Sequence, residues 1–212
     1  MMPRLRKIGL LVHITVSIGW LGAVVAFLSL NIAGLTSQEA ETVRGAYFAM
    51  NLIGRFVIAP LSLIALVTGF VQALGTEWGL FRHWWVLVKF LLTFISTAVL
   101  IAKIPLMGRA AHLAAEIPFS AAELRFEGMQ LLVHSAGGLL VLLVITTLSV
   151  FKPWGRTSYG LQEGQKQSSG SQLPGQKTAG IRFKAIFIVV GVIVAIFLML
   201  HLAQGGHGHQ GH

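Results

Sequence analysis

The sequence has no cysteine, no aspartate and few charged residues of any kind. Without cysteine the chain forms no disulfide bond and offers no thiolate for metal binding or nucleophilic attack. Charged residues make up 11% of its 212 residues, whereas a soluble domain carries about 25%. That is too little polar surface to cover a water-soluble fold. The composition therefore predicts that lipid is the solvent for much of the chain.

The charges that are present also exclude several classes of function. The net charge is +9, but the basic residues lie in short segments between apolar runs, so we expect no nucleic-acid partner. Catalytic triads, phosphate-binding loops and paired carboxylates are absent from the sequence, which does not favour an enzyme. All seven acidic residues are glutamates in predicted turns or loops. The sequence thus argues against a proton path through carboxylates inside the membrane.

Five apolar runs approach the length of about 20 residues that crosses a bilayer as a helix. They are Ile8–Leu35, Phe48–Leu74, Trp84–Met107, Met129–Phe151 and Phe183–Leu202. The mean hydropathy of +0.76 agrees with this pattern. The sequence therefore predicts an all-α, polytopic membrane protein that contacts the lipid bilayer.

The segments between these runs predict how the chain is organised. Residues 1–151 form a four-helix transmembrane bundle, 152–182 a flexible cytoplasmic linker rich in Gly, Ser and Gln, 183–204 a fifth transmembrane helix, and 205–212 an external His-rich tail. Within the bundle, Gly108–Gly128 is predicted to be an interfacial helix broken at its proline. Ten Lys and Arg residues fall on one side of the spans and four on the other. This bias predicts a cytoplasmic N-terminus and an external C-terminus in a bacterial inner membrane.

Four ionisable side chains fall inside the predicted spans, where such residues are costly and are candidates for function. His13 and Lys89 lie near the cytoplasmic ends of their helices, and Arg55 and His134 enter from the outer ends of theirs. The sequence therefore predicts an inner pair and an outer pair. The alternative for each is a packing role, and Lys89 can also extend to the headgroups.

Polar residues also repeat at helical spacing on each of the first four spans. The predicted stripes are His13, Ser17 and Trp20; Asn51, Arg55, Ser62 and Gly69; Lys89, Thr93 and Ser96; and Gln130, His134 and Gly137. Four helices with one polar stripe each are typical of a bundle that encloses a polar site or a cofactor.

Imidazoles on membrane helices predict haem b ligation, with Arg55 or Lys89 paired to propionates, while imidazoles alone also allow copper. His13 and His134 are separated by about 15 Å in a core of about 30 Å, so they do not clamp one haem. His201 on the fifth helix is the expected second ligand on the outer side. In the tail, His207, His209 and His212 form a candidate metal site, although a His-rich terminus without function is equally compatible with the sequence.

Several motifs resemble known membrane proteins. Over residues 8–160 the chain resembles a bacterial membrane family known only as a domain of unknown function. The motifs are His13-Ile-Thr-Val-Ser-Ile-Gly-Trp20-Leu-Gly22, Leu52-Ile-Gly-Arg-Phe-Val-Ile-Ala-Pro60, Trp85-Val-Leu-Val-Lys89, His134-Ser-Ala-Gly-Gly138 and Leu148-Ser-Val-Phe-Lys-Pro153. More distantly, the first and third are similar to copper-resistance D-type proteins and to the haem b protoporphyrinogen oxidases of bacterial membranes. The latter resemblance implies that His13 and Lys89 form a functional pair.

Three hypotheses follow from the sequence. The first is a membrane protein that binds haem b and transfers electrons. The second is a copper-handling protein whose His-rich tail collects the metal. The third is a non-catalytic accessory subunit of a larger membrane complex, in which other membrane subunits are the partners. An absorption spectrum together with metal analysis separates the three.

Overall fold

The computed structural model describes residues 3–75, 83–116 and 121–151. The elements in these ranges are all helices, as the sequence predicts. They are α1 (Pro3–Thr36), α2 (Ala40–Ile53), a π-helical turn (Gly54–Ile58), α3 (Ala59–Gly75), α4 (Trp84–Ala115) and α5 (Ala121–Phe151). The predicted linker at 152–182, the fifth span, His201 and the three histidines of the tail lie outside the described residues.

Four helical stretches are long and apolar enough to cross a membrane, which confirms the first four predicted spans. They are Arg4–Thr36, Ala40–Leu74, Trp84–Ala115 and Ala122–Phe151, of 33, 35, 32 and 30 residues. About 20 residues suffice to cross the hydrocarbon core, so each helix continues past it. Large apolar side chains such as Phe56 and Phe151 are 72% and 75% exposed. Their exposure is compatible with a surface covered by lipid.

The prediction of an interfacial helix at Gly108–Gly128 is wrong. Its first half continues α4 to Ala115, and its second half begins α5. Ala110 and Ala114 are 0% and 1% exposed, and Arg44 on α2 donates a hydrogen bond to the Ala114 carbonyl, 3.2 Å away. These small residues pack into the bundle, which favours a continued α4 over a helix lying flat on the membrane.

The four spans pack side by side in the order in which they follow one another along the chain. Helix α1 lies against α2, α3 and α5, and α4 lies against the same three helices. Short connections between successive spans make them antiparallel, and α5 closes the ring onto α1. We call the end at which α1 begins the amino-terminal end. The end that carries the α1–α2 and α4–α5 connections is the opposite end.

A π-helical turn interrupts the second span at Gly54–Ile58. The Ala59 N–H bonds back five residues to the Gly54 carbonyl. Pro60 follows directly, and its ring has no N–H and crowds the carbonyl four residues earlier, so a wider turn relieves the clash. One extra residue rotates the later part of the span by about 100° relative to the earlier part.

This rotation divides the polar stripe predicted for the second span. Asn51 and Arg55 lie before or within the turn, and Arg55 is exposed. Ser62 follows it and is 0% exposed, with its hydroxyl 2.8 Å from the Ala59 carbonyl. The prediction of one continuous polar face from Asn51 to Gly69 is therefore wrong, because it assumed a uniform period.

Candidate functional site

The amino-terminal half of the bundle holds a cluster built around His13. Its Nδ1 lies 2.9 Å from the Thr68 hydroxyl on α3. That hydroxyl is 2.7 Å from the Ile64 carbonyl, which can only accept. When the hydroxyl proton points to this carbonyl or to that of Ala65, 3.2 Å away, Thr68 accepts from His13 and the ring proton lies on Nδ1. In the neutral ring, Nε2 carries the lone pair.

A second contact one helical turn away fixes how α1 and α3 align. The Gln72 amide donates to the Gly9 carbonyl across 2.9 Å. Gly9 and His13 are four residues apart, as are Thr68 and Gln72, so both pairs lie on facing stripes. Gly69 permits this approach, because a Cβ there would lie 3.2 Å from His13 Cε1.

Lys89 on α4 completes this cluster. It is close enough to His13 for the two groups to interact electrostatically, and both are half-buried. Beside it, the rings of Phe70 and Phe90 join α3 to α4, with centroids 5.6 Å apart. The glutamates that the structure describes all lie toward the opposite end: they are Glu39, Glu41, Glu116, Glu123 and Glu127. Within the described residues, the His13 cluster is therefore basic and lacks a carboxylate.

A second polar site lies in the middle of the bundle, around a cavity of about 70 Å³. Its polar lining consists of Ser96, Lys103, His134 and Ser135. Trp20, Val24 and Phe27 on α1 and Ile58 in the π-helical turn close it with apolar surface. His134 Nδ1 is 2.7 Å from the Gln130 carbonyl, an acceptor, so Nδ1 is the donor in this ring as well.

Two predicted site residues lie elsewhere than the stripes suggested. Trp20 lines the cavity with His134 and does not extend the His13 cluster. Arg55, expected beside His134, does not line the cavity: its Nε donates to Asn51 Oδ1 at 2.8 Å, and its guanidinium lies against Gly108. The structure thus places His13 and Lys89 in the same half of the bundle, where the charge of Lys89 acts on His13, and keeps Arg55 out of the cavity that His134 lines.

Sequence analysis missed two polar residues of the bundle: Lys103, which lines the cavity, and Glu127, which lines a separate surface pocket with Arg109. Lys103 was assigned only to the external charge count, although Ser96, Lys103 and Met107 share a face of α4 by their spacing and all line the cavity. Glu127 was assigned to a loop, which is wrong. It lies within α5, and its side chain is 15% exposed, with Oε1 3.2 Å from Arg109 Nε.

The two polar sites differ in how well they suit a haem. The central cavity is far below the roughly 300 Å³ at which small-molecule pockets begin, so a porphyrin does not fit beside His134 in this packing. His13 has an oriented ring and lies where the flanking side chains of Val12 and Ile14 are 40% and 46% exposed. In the part of the chain that the structure describes, no three His, Cys, Asp or Glu residues are grouped to hold a metal ion.

Four long apolar helices, packed around a mostly apolar core that holds two histidine-containing sites, are those of a multi-pass α-helical membrane protein. No protein-family model, no curated protein and no solved structure matches it. The function must therefore be inferred from the chemistry of the two sites.

Proposed function

We propose that this protein binds haem b through His13 and acts in electron transfer within the membrane. The observation that carries the proposal is the hydrogen bond between His13 Nδ1 and Thr68. An imidazole that ligates a metal nearly always donates its other N–H to a neighbouring group, which fixes the ring and raises its basicity. His13 has this arrangement, with Nε2 as the ligand atom.

Lys89 supports haem over copper. A haem b carries two carboxylates, and an ammonium group beside the ligand can pair with one of them. The same ammonium repels a bare copper ion at His13, and the described residues around it offer no carboxylate to offset that repulsion. The haem would supply one-electron redox chemistry; this chain would orient its ligand through Thr68 and balance its charge through Lys89.

The test is an absorption spectrum of the full-length protein purified from cells supplied with haem precursor, with haem measured as the pyridine complex. We expect a Soret band in the wild-type protein and its loss in His13→Ala. His134→Ala should keep the band, because the cavity beside His134 is too small for a porphyrin. His112→Ala, at an exposed position on α4, is the matched control.

Loss of the band through misfolding is separated from loss of the ligand by adding imidazole to the His13→Ala protein. Recovery of the band shows that the site is intact and lacks only its ligand. A wild-type protein without haem under aerobic and anaerobic preparation would overturn the proposal. Loss of the band in His134→Ala alone would move the ligand to the central cavity.

We also propose that the amino-terminal end of the bundle faces the cytoplasm of a bacterial cell, with the protein in the inner membrane. Support comes from the Lys and Arg bias across the spans. Because the chain has no cysteine, the labelling of a single-cysteine variant has no background from other cysteines of the chain. In intact spheroplasts, a membrane-impermeant maleimide should label Gln38→Cys, in the α1–α2 connection, and leave Arg6→Cys unlabelled until the cells are lysed. The reverse pattern would invert the topology.

A further inference from the structure

We propose that Glu127, Lys103 and the cavity at His134 form a path by which protons from the opposite end of the bundle reach His134. The path is separate from the His13 cluster and does not depend on haem binding. The path consists of the Glu127 carboxylate near the surface, the Lys103 side chain between the surface and the cavity, and the cavity itself, which has polar groups on one side.

The entrance lies where Arg109 meets Glu127. The Arg109 side chain is 61% exposed and that of Glu127 is 15% exposed, so the pair joins the surface to the interior. Arg109 uses Nε to hold Glu127 Oε1 at 3.2 Å. Glu127 Oε2 is buried and has no hydrogen-bond partner among the described residues. A buried carboxylate oxygen without a donor is costly unless a proton or water reaches it.

Lys103 links this entrance to the cavity. It interacts electrostatically with both Arg109 and Glu127, and it also lines the cavity together with His134. Its long side chain therefore extends from the centre of the bundle toward the carboxylate, as lysines near a membrane boundary do.

The cavity accounts for the rest of the distance between Glu127 and His134. Glu127 and His134 lie seven residues apart on the same face of α5, which is about 10 Å along the helix. A cavity of about 70 Å³ has room for a few water molecules, since one needs roughly 10–15 Å³. Ser96, Ser135 and the Lys103 ammonium supply the polar partners that such water requires.

The transfer conserves protons and charge. A proton from water at the opposite end binds the Glu127 carboxylate. The Lys103 ammonium releases one of its protons to cavity water and takes up that of Glu127, which becomes a carboxylate again. Cavity water delivers the released proton to His134 Nε2, and the neutral ring with its proton on Nδ1 becomes imidazolium. The net change is one proton moved inward.

The groups that face His134 set its response to pH. Helix α1 contributes Trp20, and the π-helical turn contributes Ile58; neither titrates. Helix α4 contributes Lys103, and Glu127 on α5 interacts with it. Lys103 is the titratable group that shares the cavity lining with His134, and Glu127 acts on it through Lys103.

The experiment measures hydrogen–deuterium exchange at the ring nitrogen protons of His134. The full-length protein, labelled uniformly with ¹⁵N, is placed in lipid nanodiscs and transferred to D₂O, and His134→Gln identifies the ring signal. We expect the His134 ring to exchange much faster than the backbone amides of neighbouring buried residues on α5. Glu127→Gln should slow this exchange by about 100-fold, the scale at which a positioned acid–base group accelerates proton transfer.

Glu41→Gln is the control, because Glu41 is exposed on α2 and lines neither the cavity nor the surface pocket where Arg109 meets Glu127. It should leave the exchange rate unchanged. A His134 ring as protected as the surrounding amides overturns the proposal, and so does an equal rate in wild type and Glu127→Gln. Thermal unfolding of each variant shows that the bundle is intact. The result is independent of the Soret band, so failure of either proposal leaves the other standing.

Discussion

Replacing Gly128 with alanine is expected to lower the free energy of unfolding by about 1–3 kcal/mol. Gly128 lies on α5 where the Tyr47 hydroxyl of α2 packs directly against it, and an added Cβ would overlap that oxygen and approach Leu35 Cδ2 to 2.8 Å. Tyr47 is 1% exposed, and its ring also packs against Gly34. The ring has no room to turn aside, so α5 must move outward.

That movement also weakens a buried hydrogen bond. Asn31, 0% exposed, donates through Nδ2 to the Gly128 carbonyl across 3.1 Å. Gly138→Ala is the matched control, because it lies on the same helix and its added Cβ would meet nothing within 4 Å. Alanine favours a helix over glycine by about 1 kcal/mol at either site, so the difference between the variants isolates the packing effect. Thermal unfolding in detergent, followed by tryptophan fluorescence, measures it. Equal midpoints would contradict the contact between α5 and α2.

Replacing Thr68 with valine is expected to weaken haem binding by about 10- to 100-fold, the usual cost of losing a group that orients a metal ligand. Valine keeps the shape of the side chain but cannot accept from His13 Nδ1, which lies 2.9 Å from the hydroxyl. The ring is then free to rotate and to change tautomer. Haem transfer to a soluble apoprotein scavenger measures the change in affinity.

Two further variants test this explanation. Thr68→Ser retains the hydroxyl and should bind haem like the wild type. Thr147→Val removes a hydroxyl that bonds to the carbonyl four residues earlier at 2.8 Å, as Thr68 does, but on an exposed part of α5. It should have no effect on haem. If Thr68→Val kept full affinity while His13→Ala lost it, His13 would be a ligand that Thr68 does not orient.

The depth of a residue within a span and the face on which it lies follow different rules. The depth of His13 and Lys89 follows from counting residues along a straight helix, and the structure brings these two close enough to interact. The face of a residue depends on an unbroken period, which the turn at Gly54–Ile58 interrupts. Arg55 was therefore assigned beside His134, whereas it lies against Asn51 and Gly108.

Lys103 and Glu127 show a different limit. Both residues lie near the opposite end of the bundle. From the sequence, Lys103 was therefore counted among the external charges and Glu127 was assigned to a loop. Their side chains face the gap between α4 and α5. A scan for polar residues spaced seven apart would have selected Ser96 with Lys103 and Glu127 with His134. It would not have revealed that Ser96, Lys103 and His134 line one cavity, or that Glu127 pairs with Arg109.

By itself, the sequence determined that the chain is all-helical with four long apolar spans, and it located the ionisable residues within them. Apolar length is a local property, and lipid enforces helices on any stretch that has it. Only the tertiary structure decided that His13 is hydrogen-bonded to Thr68, and that Trp20 lines the same cavity as His134. Contacts of this kind between helices depend on how the helices are rotated and aligned against one another. Small contacts set that alignment, among them Gly69 against His13 and Gly128 against Tyr47, together with one wide turn before a proline.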